Sequence, residues 1–260
     1  MKILVTFALD AEFAPWRKRH RFERSQVAGQ APAGADVAYC ARVGKSDVDV
    51  YLTGIGLPPR GPGLYLLLSQ GPHLCISSGL GGGLNISLKA GDIVAARSVA
   101  LVEGGTKINS RARLVEIAER CGARSVDSFL TSKHIVSQAQ DKKSMAASGD
   151  VVEMESYHVL TMASRKQVAS IALRAISDPQ DEDLPLEFEK AVEAGGRLNA
   201  RRLALQIVRF PHRIPSLIRF GRRTEQVTEK LADFLDLYLE AVAAVSPQSW
   251  SGPARELAAG

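Results

Sequence analysis

Residues 74–94, LCISSGLGGGLNISLKAGDIV, hold the most informative pattern in the chain. The strand predicted at 74–78 is apolar on successive positions rather than on every second one, which is typical of a strand covered on both faces of its sheet. The glycines at 79–83 predict a turn that lets the backbone approach a ligand closely. A strand covered on both faces needs other elements packed on each side, so the stretch indicates an α/β fold.

Strand and helix patterns alternate outward from this stretch. Strands are predicted at 2–7, 48–53, 93–101 and 168–176, and helices at 110–120, 138–147 and 155–165. Thr224 is placed to cap a last helix, because apolar residues recur at helical spacing from Val227 to Val242. We therefore predict an α/β fold with a single three-layer domain, in which a central mixed β-sheet is flanked by helices.

The domain is predicted to span residues 1–245, including a basic helical segment at 185–223 and a C-terminal helix at 224–245. A flexible tail is predicted at 246–260. The N-terminal apolar run is too short for a signal peptide or a membrane span and is followed at once by Asp10 and Glu12, so we expect a cytoplasmic protein. No group of His, Cys, Asp and Glu has metal-ligand spacing, and we expect no metal.

The segment Arg197–Arg223 holds eight arginines and no acid, in a chain with a formal net charge of +5. Such a segment can meet phosphate, anionic lipid or an acidic partner, and it can also be a solvated face. Nucleic acid is the least favoured partner, because no recognised nucleic-acid motif accompanies the arginines.

Three places along the chain carry candidate acids. Glu153 and Glu155 flank Met154 before a predicted helix, where two carboxylates on one side of an extended segment could accept both hydroxyls of a diol; acids at a helix N-terminus are the alternative. Asp178 follows a predicted strand and is a candidate general acid or a turn residue. Glu12 is a candidate catalyst or a first-turn acid that offsets the helix dipole.

Taken together, these motifs resemble the 5′-methylthioadenosine/S-adenosylhomocysteine nucleosidase branch of the nucleoside phosphorylase and nucleosidase superfamily. The resemblance covers about residues 1–180 and rests on MKILVTFALDAE (1–12), YLTGIG (51–56), the 77–94 run, VVEMES (151–156) and RAISD (174–178). It implies a nucleoside phosphorylase-like fold, a homodimer, and cleavage of the N-glycosidic bond of a 5′-substituted adenosine, without a metal or organic cofactor.

The resemblance also implies a role for each candidate. Glu155 would hold the ribose hydroxyls and Met154 would pack on the sugar. Asp178 would protonate or hydrogen-bond the purine N7, and Glu12 would activate the attacking water. The remaining predicted substrate-binding residues are Gly81 and Ser177.

Two departures from the nucleosidases point to an alternative. Leu80 stands where they carry a hydroxyl residue, and QAQDK (138–142) stands where a purine-stacking aromatic is expected. The A-x-x-K stretch at 139–142 and RFPHRIPSL (209–217) resemble the hopanoid-associated phosphorylase group. That resemblance implies inorganic phosphate as co-substrate, an adenosine with an apolar polycyclic tail, and contact of Arg197–Arg223 with a membrane surface. A peripheral helical hairpin is the alternative for this segment.

Other candidates follow from these hypotheses. A phosphorylase needs cations around phosphate, for which Arg42, Arg60 and Arg97 are candidates. A nucleoside-binding relative without turnover is the third hypothesis for the whole chain. His134 and His158 are interpreted as structural residues.

Overall fold

The computed structural model describes residues 1–25, 37–56, 62–186, 188–192, 199, 201–202, 205, 209 and 214–250. Within them, eleven strands form one sheet. The strands are β1 (Lys2–Phe7), β2 (Glu23–Ser25), β3 (Val37–Val43), β4 (Ser46–Leu52), β5 (Leu74–Ser77), β6 (Leu80–Gly83), β7 (Ile93–Leu101), β8 (Ile108–Asn109), β9 (Arg124–Thr131), β10 (Val151–Glu153) and β11 (Ala169–Asp178). The helices are α1 (Asp10–Arg19), α2 (Gly63–Ser69), α3 (Ala112–Arg120), α4 (Ala139–Met145), α5 (Ser156–Arg165) and α6 (Ile214–Ala243), with short 3₁₀ turns at Phe188–Ala191 and Pro247–Ser249.

The sheet is mixed, and β11 is its central strand. β4, β1, β5 and β11 run parallel side by side. The C-terminal half of β11 pairs in parallel with β6 and antiparallel with β7. Since β6 pairs with β10, β10 with β9, and β9 with β7, the pairing returns to β11 and closes a ring of five strands.

Helices cover both faces of the sheet, which confirms the predicted three-layer α/β fold. α1, α3 and α6 pack on one face in the larger apolar cluster, where Trp16, Ile117 and Leu235 are buried. α2 and α5 pack on the other face, through residues such as Leu64 and Leu160. All four residues of β5 are buried, as the sequence pattern of a doubly covered strand predicts.

The glycine stretch is a strand rather than the predicted turn. β6 pairs with both β10 and β11, and a side chain at Gly81 would leave no room for the neighbouring strand, because a Cβ there would lie 2.8 Å from Val151 Cγ1. The bend is confined to Gly79, whose φ of +143° is one that residues with a side chain rarely adopt.

The C-terminal helix is longer than predicted. α6 begins at Ile214, and Thr224 lies inside it rather than at its cap. Pro215 in the first turn is compatible with this start, because the missing N–H of a proline there has no intrahelical partner to lose.

Within the predicted tail 246–260, Trp250 packs against the domain, whereas Ser246, Gln248 and Ser249 are exposed. Trp250 is 3% exposed and belongs to the larger apolar cluster. The remainder of the predicted tail, 251–260, lies outside the described residues. Among the residues that are described, no helix combines the length and the apolar character that a membrane crossing requires.

Candidate active site

A cavity of about 330 Å³ opens at the carboxyl ends of β1, β5 and β11, which lie parallel and adjacent. Ligands of open α/β sheets bind in the crevice at such strand ends, and the volume is in the range of small-molecule sites, roughly 300–1,000 Å³. The acids that line the cavity are Glu12, Glu153, Glu155 and Asp178, and its larger apolar residues include Leu9, Ile55, Leu80, Ile135, Val136, Leu184, Phe188 and Phe220.

Glu12 joins two segments that follow parallel strands. Its Oε2 accepts the N–H groups of Ala8 and Leu9 at 3.0 and 2.9 Å, just after β1. Its Oε1 accepts the N–H of Leu80 at 2.9 Å, at the start of β6. Burial raises the pKa of Glu12, whereas these backbone N–H groups and the charge of Arg174 act in the opposite direction. Glu12 is therefore both the first-turn acid of α1 and a carboxylate on the cavity wall.

Gly79 makes the position of Glu12 possible. A Cβ on Gly79 would lie 2.9 Å from Glu12 Oε1, closer than two such atoms can pack. The positive φ of this glycine turns the chain after β5 so that the N–H of Leu80 faces the carboxylate.

Glu153 and Glu155 are not the side-by-side pair that an extended segment would give. The backbone turns between them, so that Glu153 Oε2 accepts the N–H groups of Glu155 and Ser156 at 3.0 and 2.8 Å and caps α5. Glu153 also accepts hydrogen bonds from Thr131 and, at 2.5 Å, from Arg174. These donors occupy the carboxylate of Glu153, which leaves Glu155 as the acceptor available to a ligand.

Glu155 faces the cavity beside Met154. Its Oε1 accepts the N–H of Gly56 at 3.2 Å, and its Oε2 lies 3.7 Å from Arg174 Nη2. The pKa of Glu155 is raised to about 8, mainly by burial and also by the charge of Glu153, while the charge of Arg174 acts in the opposite direction. The Met154 side chain reaches the turn after β4, since its Cε lies 3.4 Å from the place of a Cβ on Gly56.

Asp178 ends β11 with both carboxylate oxygens hydrogen-bonded. Ser177 Oγ donates its proton to Oδ1 at 2.5 Å, and the carbonyl oxygen of Gly81 lies 3.3 Å from the same Oγ. Lys142 Nζ donates to Oδ2 at 2.6 Å. The neighbouring strand approaches closely, because a Cβ on Gly82 would lie 3.2 Å from Oδ2. Asp178 is thus held rigidly at the cavity wall, 4% exposed.

The sequence analysis did not assign roles to the two cations of the site. Arg174 is 1% exposed and also donates to the carbonyl of Ser77 at 2.9 Å. An arginine within the apolar run of β11 is a sequence signal for a buried, paired charge. Lys142 is 0% exposed. In the sequence it belongs to the A-x-x-K stretch, which resembles the hopanoid-associated phosphorylase group but does not indicate a chemical role for the lysine. Its partner Asp178 lies 36 positions away, a separation that local patterns do not reveal.

Aromatic side chains reach the cavity from segments other than 138–142. Phe188 lies in the 3₁₀ turn after β11 and Phe220 on α6, with ring centroids 5.9 Å apart. His134 lies at the rim, where its Nδ1 is 2.5 Å from Glu189 Oε1. His158 does not line the cavity in the described part of the chain, and burial lowers its pKa.

Two of the three candidate phosphate-binding arginines, Arg42 and Arg97, do not line the described part of the cavity. Arg42 pairs with Asp47 at the far edge of the sheet, at 2.6 Å. Arg97 donates to Ser125 at 2.8 Å on the surface. Arg60 lies outside the described residues. In the part of the cavity that the structure describes, no arginine or lysine is among the lining residues.

The ring of strands, the two helical layers and the cavity at the strand ends together define an α/β protein of the nucleoside phosphorylase-like fold. A crystal structure of Campylobacter jejuni 5′-methylthioadenosine/S-adenosylhomocysteine nucleosidase matches with a TM-score of 0.69 and 16% identity, covering 92% of this chain and 99% of that one. A futalosine hydrolase mutant of Helicobacter pylori matches with a TM-score of 0.64 and 17% identity, covering 92% and 99%.

The chain belongs to the phosphorylase superfamily, whose family profile matches residues 2–209. A 5′-methylthioadenosine/S-adenosylhomocysteine nucleosidase from Glaesserella parasuis serovar 5 is 27% identical over 176 residues, which is 58% of this chain and 76% of the relative.

Proposed function

We propose that this protein hydrolyses the N-glycosidic bond of a 5′-substituted adenosine of the methylthioadenosine or adenosylhomocysteine type. The observation that carries the proposal is the convergence of Glu12, Glu155 and Asp178 on one cavity. Bond cleavage passes through a cation-like sugar, so it needs a carboxylate near the ribose, a base for water and a group that stabilises the departing purine. The names of the relatives support the same substrate class.

Each acid has a place in the proposed reaction. Glu155 binds the ribose hydroxyls, with Met154 against the sugar. Glu12 takes a proton from the water whose oxygen bonds to C1′. The electron pair of the breaking C1′–N9 bond passes to the purine, whose N7 Asp178 protonates or hydrogen-bonds. General acid–base contributions of this kind are worth about 10²–10⁴ in rate.

The charge of the cavity favours water over phosphate as the nucleophile. Four acids line the cavity, and the described part of its wall has no arginine or lysine. The two cations behind the wall already contact these acids. The described wall thus lacks the converging cationic donors that bind phosphate elsewhere. Two of the similar proteins, a nucleosidase and a futalosine hydrolase, are named for hydrolysis.

The test is release of adenine from methylthioadenosine and adenosylhomocysteine by the purified protein, with and without inorganic phosphate. Release without phosphate, unchanged when phosphate is added, is expected. Release only with phosphate would overturn hydrolysis and favour a phosphorylase.

A second candidate is cleavage of an adenosine that carries a long apolar substituent, with phosphate as co-substrate. The apolar wall that includes Leu184, Phe188 and Phe220 favours a substituent of this kind. Absence of release from the two thioadenosines, with release from an alkyl-substituted adenosine in phosphate, would select this candidate.

The third candidate, a nucleoside-binding relative without turnover, is tested with Asp178→Asn. If the protein is an enzyme, the substitution abolishes turnover and leaves nucleoside affinity largely intact. Equal adenine release from the wild type and the variant would contradict the role proposed for Asp178.

The proposed partners beyond the nucleoside are a second copy of the chain and a membrane surface at Arg197–Arg223. Light scattering of the purified protein tests the homodimer. The cytoplasmic location also stays a prediction.

A further inference from the structure

Lys142 occupies a position that is unusual for a lysine. Its side chain is 0% exposed, and lysines are almost never fully buried without a charged partner. Nζ donates to Asp178 Oδ2 at 2.6 Å, to the carbonyl of Pro179 at 2.8 Å and to the carbonyl of Glu182 at 2.6 Å. The three protons of an ammonium are thereby matched to three acceptors, so the surroundings fit the charged form of Lys142.

This arrangement bears on how Asp178 takes part in the reaction. A carboxylate that faces a buried ammonium at hydrogen-bond distance is favoured in its ionised form. The second oxygen of Asp178 accepts from Ser177. An ionised Asp178 has no proton of its own to give to a leaving group, but it can accept a hydrogen bond from one.

We propose that Lys142 is a positioning residue that keeps Asp178 ionised and fixed at the cavity wall, so that Asp178 accepts a hydrogen bond from a purine protonated at N7. This inference rests on the proposed function and chooses between the two roles left open there. The purine takes its N7 proton from solvent, the C1′–N9 electron pair goes to N9, and a neutral purine leaves. Water bonds to C1′, its proton passes to Glu12, and Glu12 then releases that proton to solvent, so one proton is taken up and one is returned.

The position of Lys142 is in turn supported from α6. Glu182, whose carbonyl accepts from Lys142, binds Arg223 through both carboxylate oxygens at 2.6 and 2.7 Å. Lys142 on α4 thus contacts Asp178, Arg223 on α6 contacts Glu182 in the loop after β11, and Glu12, Glu153 and Glu155 line the same cavity as Asp178. A continuous chain of contacts therefore links Arg223, at the end of the arginine-rich segment, to the carboxylate of Asp178.

The first test is a ¹³C titration of the aspartate carboxyl carbons, with the Asp178 signal assigned by its loss in Asp178→Asn. We expect the signal to titrate at a pH higher by about one unit or more in Lys142→Met than in the wild type, because the neighbouring positive charge is gone. Lys143→Met, which removes the exposed neighbouring lysine, should leave the signal as in the wild type. Identical titrations in the wild type and Lys142→Met would overturn the proposal.

The second test is kinetic, with the nucleoside that the wild type cleaves. Lys142→Met should lower kcat by about 10²-fold while KM changes by less than about threefold, and Lys143→Met should match the wild type. An unchanged kcat in Lys142→Met would overturn the role of the lysine. If the wild type cleaves no nucleoside, the proposed function fails, and the titration still decides whether Lys142 holds Asp178 ionised.

The ion pair between Lys142 and Asp178 can be tested even if Lys142→Met is unstable. Loss of the ammonium leaves the charge of Asp178 buried without its partner, so Lys142→Met combined with Asp178→Asn should unfold at a higher denaturant concentration than Lys142→Met alone. A double variant less stable than the single one would contradict the ion pair.

Discussion

Glu12 has a structural role, and the proposed reaction gives the same carboxylate a chemical one. It closes the first turn of α1 by accepting the N–H of Leu9, and it holds the start of β6 by accepting the N–H of Leu80. Because burial raises its pKa, it is a stronger base, once ionised, than an exposed glutamate. That property suits a group that takes a proton from water in the proposed reaction.

Glu12→Gln should lower kcat by about 10²–10⁴-fold and change KM little, since the amide keeps much of the shape but cannot take a proton. In the wild type, kcat should fall as the pH drops through the raised pKa of Glu12, at higher pH than for an ordinary glutamate. Steady-state kinetics across pH measure both effects. Asp10→Asn, at an exposed acid of the same turn, is the control, and a fully active Glu12→Gln would refute the assignment.

Gly79→Ala should displace Glu12, because the new Cβ would meet Oε1 at 2.9 Å, and a shift of about 1 Å in a catalytic group can cost about 10²-fold in rate. The positive φ adds strain of about 1–3 kcal/mol. Gly44→Ala is the matched control, since Gly44 also has positive φ but no atom within 4 Å of its added Cβ. Denaturant unfolding reports the backbone strain, and kcat reports the displacement of Glu12. Both variants should lose stability, but only Gly79→Ala should lose activity. Equal losses of activity in the two variants would contradict the displacement of Glu12.

At the level of single residues, the sequence shows the acids better than their cations. Glu12, Glu155 and Asp178 follow predicted strands or precede predicted helices, where side chains are exposed to a crevice. The pairing of Lys142 with Asp178 depends on how α4 docks against the end of β11, a tertiary contact with no periodic signal. The capping of α5 by Glu153 likewise depends on a backbone turn that two nearby acids do not specify.

The secondary-structure elements differ in how much of them the sequence determines. β1 and β7 begin and end where the sequence analysis places them, because both are rich in apolar and β-branched residues. β6 was predicted as a turn because four of the residues at 79–83 are glycine, and it is a strand because two neighbouring strands supply its hydrogen bonds. Pairing partners far along the chain override local preference there.

The N-terminal half of α6 extends beyond the apolar core. Phe220 and Thr224 face the cavity, whereas Ile214 and Ile218 are 39% and 50% exposed on the outer side. Arg219 and Arg222 are exposed beside them. One helix thus forms a cavity wall on its inner side and carries apolar and cationic groups outside, a combination that suits an interfacial helix.

If Arg197–Arg223 contacts a membrane surface, the protein should cosediment with vesicles that contain anionic lipid and less well with neutral ones, with binding that weakens as salt rises. Ile218→Asp should weaken binding by about tenfold, because burying such a side chain is worth about 1.5–3 kcal/mol. Leu237→Asp, at a 56% exposed position farther along α6, is the control. Equal binding to neutral and anionic vesicles would contradict the membrane contact.

Across the whole molecule, the sequence predicts the three layers but not the ring. Alternating strands and helices specify a sheet with helices on both faces, and the structure has this arrangement. The ring closes because β11 pairs with three strands along its length, which are β5, β6 and β7. A single buried run of ten residues shows only that the strand is long and covered.

The stability of the whole protein should depend on pH through Glu155. Its pKa rises from 4.5 to about 8 in the folded state, so the folded protein retains a proton that the unfolded chain releases. The free energy of unfolding should therefore be greatest below the lower value and fall as the pH rises from about 5 to 8, by at most about 1.4 kcal/mol per pH unit for one proton.

Denaturant titrations at several pH values measure this dependence. Glu155→Gln should reduce it and leave the part that comes from the raised pKa of Glu12, and Glu116→Gln, at an exposed acid on α3, should leave it unchanged. A wild type whose stability rises over the same range would be inconsistent with a raised pKa at Glu155.

The strands at the two ends of the described sheet have a further consequence. β2 has three residues and β8 has two, while the long strands all lie between neighbours. Unpaired strand edges are the places where one folded molecule can recruit another into a growing fibril, and short edges are one way in which proteins prevent this. Within the described sheet, the two edge strands therefore offer only three and two residues as a template for amyloid-like growth.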